Sequence, residues 1–69
     1  MTLGQRISLY RKKLNISQEE LGVRLGVSRQ AVSKWETGTA DPSTSNLLAL
    51  AKLFGVSAEE LLRSVEKAR

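Results

Sequence analysis

Between Ser28 and Gly38 the sequence runs SRQAVSKWETG. At about 100° per residue of helix, its polar members Arg29, Gln30, Ser33, Lys34 and Thr37 share one arc. Their chemistry is directed hydrogen bonding: arginine can grip guanine O6 and N7 with two bonds, and glutamine can grip adenine N6 and N7 likewise. A solvated helix face uses the same residue types, so both readings stand at this point. The opposite arc holds Ala31, Val32 and Trp35 with Ser28, which assigns Trp35 to a core rather than to stacking on a ligand. Catalytic chemistry has less to work with. The 69 residues contain no cysteine and no histidine, which removes thiol nucleophiles, disulfides, Cys/His zinc sites and imidazole bases. Serine, lysine, aspartate and glutamate are present, but no spacing groups them into a site. An enzyme is therefore not expected, and neither is a metal or a cofactor.

Charge points the same way as the polar arc. Residues 1 to 34 carry a net +5 and residues 35 to 69 a net −1, so the basic excess lies in the half that contains most of that arc. A polyanion would meet the N-terminal half, although a basic surface also serves solubility. Lys12 and Lys13 read as a solvated helix end.

The elements that must position these side chains are short helices. A chain of 69 residues forms one domain at most. No stretch alternates apolar and polar residues as a strand would. Leu3, Ile7, Tyr10 and Leu14 mark one face of a first helix from about Leu3 to Lys13, with Tyr10 in the core or on its rim. Three times an apolar residue precedes a serine and another follows four places later: Ile16-Ser17 with Leu21, Val27-Ser28 with Val32, and Val56-Ser57 with Leu61. Each is an N-cap with a hydrophobic staple, and Glu20 and Glu60 are placed to complete capping boxes. A fourth helix begins near Pro42 or Ser43, capped by Asp41 or Ser43, and buries Leu47, Leu50, Ala51 and Phe54.

Two local rules are broken around the polar arc. Gly22 lies inside the second helix, where glycine costs roughly 1 kcal/mol relative to alanine, and close approach of the third helix is the compensating reason. Only Gly26 and Val27 link these helices, with Gly26 placed for the left-handed conformation that closes the second. The second and fifth helices carry Glu19, Glu20, Glu59 and Glu60 in their first turns, whereas the third carries Arg29 there. A cation at a helix start makes sense where a polyanion docks.

With these residues in place, Gln18-Glu-Glu-Leu21-Gly22 and Leu25-Gly26-Val27-Ser28-Arg29-Gln30-Ala31-Val32-Ser33-Lys34-Trp35-Glu36-Thr37-Gly38 resemble the helix-turn-helix family of phage Cro and repressor proteins, also called the Xre family. Pro42 through Leu62 resembles the family's fourth and fifth helices, so the likeness covers nearly the whole chain. It implies an all-α, five-helix, lambda-repressor-like domain over residues 1–69 that binds double-stranded DNA sequence-specifically as a transcriptional regulator, most simply a repressor. It further implies that Gln18 bonds a DNA phosphate and that Ser28, Arg29, Gln30, Ser33 and Lys34 touch bases or nearby phosphates. Arg11 and Glu36 match an ion bridge of structural purpose between the first and third helices. One departure stands out: Thr37 to Pro42 lacks the basic residues common in that loop and includes Asp41. Phosphate contact there falls to the hydroxyls of Thr37 and Thr39 or to backbone N–H groups.

A single recognition helix reads only about four base pairs, so a homodimer on a near-palindromic operator is expected. The contact would lie on the fourth and fifth helices, where Leu48, Leu53, Leu62, Val65 and Ala68 are the apolar candidates, widening the intramolecular core being the other use for some of them. The same surplus of leucine keeps a protein-interaction module as the alternative function. The longest apolar run, Leu47 to Ala51, is too short for a bilayer and no signal-peptide core follows Met1; no membrane role and a cytoplasmic location are expected.

Overall fold

The computed structural model describes residues 1–66, with side chains through Arg63. Five helices follow in order: α1 (Leu3–Lys13), α2 (Gln18–Leu25), α3 (Arg29–Thr37), α4 (Thr44–Phe54) and α5 (Ala58–Glu66). No strand occurs among the described residues, and no helix there is long and apolar enough to cross a membrane.

Every helix starts on a hydroxyl that satisfies one of its orphan amides. Thr2, Ser17, Ser28, Ser43 and Ser57 accept from the N–H groups of Gln5, Glu20, Ala31, Asn46 and Glu60 at 3.0–3.2 Å. Ser43, not Asp41, is thus the fourth cap. The reciprocal half of a capping box closes at Thr2, whose N–H donates to Gln5 Oε1 at 2.9 Å. It was expected at Ser17, but there the Glu20 carboxylate turns along the helix to Arg24 Nε, 3.0 Å away. A charged donor one turn on outbids a neutral amide. Both partners are half exposed, so the ion pair itself adds little stability.

All five helices contribute to one core. Ile7, Leu21, Val32, Leu50 and Leu61 are fully buried, joined by Trp35 and Ala51. Tyr10 lies on the rim, its ring stacked on Phe54 with centroids 5.3 Å apart. Leu47 and Phe54 pack against the core as expected, and so does Leu53, which is therefore a core-edge residue rather than part of a free outer face. Leu48 and Leu62 remain 56% and 38% exposed. Of the other two apolar candidates, the Val65 side chain and Ala68 lie outside the described residues.

Two glycines set how closely the helices meet. A Cβ on Gly22 would lie 2.7 Å from Val27 O and 3.3 Å from the Ser28 carbonyl, so α2 accommodates the turn and cap that lead into α3. Gly4 was not singled out by sequence, yet it is the tighter point. A Cβ there would overlap the carbonyl oxygens of both Trp35 and Glu36, which brings the start of α1 against the end of α3.

Candidate nucleic-acid interface

The α2–α3 link aims the polar arc. Gly26 takes φ +74°, a conformation that L side chains rarely adopt, and the N–H of Val27 closes onto Gly22 O at 2.8 Å. With the chain reversed in so few residues, α3 crosses α2 and presses Val32 and Trp35 inward, Trp35 being only 6% exposed. The opposite arc is thereby turned to solvent. Arg29, Gln30, Lys34 and Thr37 are exposed and Ser33 is half-buried. Among the described residues the side chains of Arg29, Gln30, Ser33 and Lys34 have no hydrogen bond or ion pair. Two cations, an amide and a hydroxyl thus stand available on one face.

The remaining predicted site residues are partly committed within the protein. Ser28 is exposed, with Oγ accepting from Ala31 N at 3.1 Å as the cap of α3. Thr37 Oγ1 donates to Lys34 O at 3.3 Å and lies 3.0 Å from Thr39 Oγ1. A hydroxyl has one proton to give, so Thr39 is the donor in that contact and the two hydroxyls are tied to each other and to α3.

Gln18 shows what sequence reasoning missed. It is the first residue of α2, half-buried, and its Nε2 donates to Glu36 Oε1 at 3.0 Å. Glu36 belongs to the ion pair with Arg11: Nε donates to Oε2 at 2.7 Å and Nη2 to Oε1 at 3.3 Å. The remaining Arg11 nitrogen, Nη1, donates to Ile16 O at 2.8 Å, in the turn that leads to the α2 cap. The pair is well shielded, with 12% and 8% of the two side chains exposed, and two parallel bonds fix the carboxylate's orientation. Arg11 also neutralises Glu36, leaving Arg29 and Lys34 to set the sign of the α3 surface. No local pattern links residues 18 and 36, which meet only once α1, α2 and α3 have packed.

The chain matches the helix-turn-helix family model over residues 7–61. It is 46% identical over 61 residues to repressor protein C2 of Salmonella phage P22, covering 88% of this chain and 28% of that protein. To the HTH-type transcriptional activator BcrR of Enterococcus faecalis it is 38% identical over 66 residues, covering 96% of this chain and 32% of the activator. It thus spans about a third of the length of these two relatives. The crystal structure of the P22 c2 repressor in complex with synthetic operator 9T, in the presence of Tl+, has a TM-score of 0.87 at 44% identity, with 93% of this chain and 97% of that chain covered.

Proposed function

The chain belongs to the helix-turn-helix family of Cro/C1 type, and from that membership we propose that residues 1–69 form one domain that binds double-stranded DNA sequence-specifically and regulates transcription, most simply by repressing it through occlusion of an operator. The observation that carries this proposal is the uncommitted outer arc of α3. Arg29, Gln30, Ser33 and Lys34 project from a helix locked from behind by Val32 and Trp35, a polar helix face of the kind a major groove admits. Arg29 at the α3 start faces a phosphate or a base edge, and Gln18 at the α2 start takes a phosphate. Thr37 and Thr39, already bonded to each other, offer lone pairs and serve the backbone only by reorienting. Neither metal nor cofactor has a part in this function. The cytoplasm is the proposed location.

A homodimer on a near-palindromic operator completes the proposal. Leu48 and Leu62, exposed and in the acidic half of the chain, supply its contact. So small a surface falls short of the standard interface of about 1,600 Å², so the dimer is weak alone and strengthened by DNA through linkage.

Gel retardation of random-sequence duplex at low salt, followed by a salt titration, tests the proposal. If each subunit neutralises about five phosphates, the log–log slope for a bound dimer approaches −0.9 times about ten. A slope shallower than about −2 overturns it.

A further inference from the structure

We infer that Glu36, held by Arg11, is the positioning residue for the DNA contact of Gln18, so that the buried ion pair tunes affinity as well as holding helices together. The inference rests on the DNA-binding proposal above and deepens it. A primary amide has two N–H donors. One of those on Gln18 is taken by Glu36 Oε1 at 3.0 Å, which removes the freedom of a three-torsion side chain before any partner arrives and leaves the second N–H to donate outward.

Left alone, Glu36 would work against the contact, because its negative charge sits one hydrogen bond from the group that meets a phosphate. Arg11 cancels that charge with its two bonds at 2.7 and 3.3 Å, and its third, to Ile16 O, steadies the turn from which α2 starts. One chain of hydrogen bonds therefore runs from the turn before α2 through Arg11 and Glu36 to Gln18, and the shielding of the pair keeps water from loosening it. The Arg11–Glu36 pair by itself bridges α1 and α3; the bond from Gln18 adds the residue that opens α2.

Removing Glu36 alone strands a buried guanidinium, so the informative variant replaces both partners by apolar side chains, Arg11→Met with Glu36→Leu, a change that buried pairs often tolerate. Dissociation constants for a random-sequence duplex at low salt are compared for wild type, Gln18→Ala, the paired variant and the triple variant, with thermal melts to confirm folding. The paired variant binds about 2- to 10-fold more weakly, the range expected for freeing one long side chain, and most of that loss vanishes once Gln18→Ala is present. In the DNA-free protein, the Gln18 amide proton bonded to Glu36 is expected to resonate away from its free-glutamine position in wild type and to return to it in the paired variant, as read by NMR. Should that variant fail to fold, Glu36→Gln keeps a carbonyl acceptor for Gln18 and restores more affinity than Glu36→Ala. Equal binding by wild type and the paired variant overturns the inference, as do losses that multiply independently or equal affinity of Glu36→Gln and Glu36→Ala. A wild type that binds no duplex overturns the DNA-binding proposal itself and takes the inference with it.

Discussion

Replacing Gly4 by alanine tests the packing that joins α1 to the end of α3. An ordinary carbon–oxygen contact is about 3.3 Å. The added Cβ would stand 2.6 Å from Glu36 O, 2.9 Å from Glu36 C, and closer still to Trp35 O. All three are backbone atoms, so no side chain can swing aside, and α1 must retreat by roughly 0.7 Å or more. Overpacking of this kind costs about 1–3 kcal/mol. The gain in helix propensity offsets little of it, because Gly4 is the second residue of α1, before the helix interior. A chain of this length has a total stability of roughly 3–10 kcal/mol, so the loss is a large share. At about 4–8 °C per kcal/mol for a domain of this size, the melting temperature falls by roughly 4–24 °C. Trp35, the chain's sole tryptophan and buried at this contact, reports the transition by fluorescence. A Gly4→Ala protein as stable as wild type would refute the packing account.

On the α3 face, Arg29→Ala or Gln30→Ala costs about 1–3 kcal/mol in operator binding and relaxes preference at one or two base pairs in site selection from a random pool, whereas Gln18→Ala weakens all sequences about equally. The reverse pattern would put α2 in the groove. Leu48→Asp leaves monomer stability within about 0.5 kcal/mol but weakens two-to-one complexes on operator, read by sedimentation; unchanged stoichiometry and affinity count against the α4–α5 contact. Gly26→Ala meets no atom within 4 Å, yet φ +74° makes it cost about 1–2 kcal/mol by thermal melt. A stability gain there would refute the strain.

Features written in neighbouring residues were legible. The apolar–serine–apolar spacing located the caps at Ser17, Ser28 and Ser57, and the wheel of residues 28–37 separated Val32 and Trp35 from the exposed arc. The cost of glycine in a helix flagged Gly22, although the backbone it admits is the turn before α3 rather than α3 proper. What escaped depends on partners distant in sequence or on competition. Gly4 sits in a helix whose apolar positions alone were informative, and nothing near it shows that Trp35 and Glu36 approach. Thr2 lacks the staple, since Arg6 stands where an apolar residue would, so its capping box went unseen beside the serines. Glu20 had two possible partners, and Arg24 won. Leu53 belonged to an arc wider than one stripe, and only the packing of α4 decides which leucines it covers. The Arg11–Glu36 bridge was expected from family likeness, but its third member, Gln18, required the assembled fold.

The division of α3 into a buried arc and an unbonded one bears on how such a domain changes over time. Because the side chains of Arg29, Gln30, Ser33 and Lys34 share no hydrogen bond or ion pair with the rest of the described protein, exchanging them alters stability by about 0.5 kcal/mol or less. Under the proposed function, the same exchanges shift preference between base pairs by about 1–3 kcal/mol each. Target choice can therefore drift residue by residue, each intermediate still folded, with no compensating change in the core. Duplicated copies of the chain would be free to diverge toward different operators long before their scaffolds did, and an engineer could retarget the helix by transplanting four side chains onto an untouched frame.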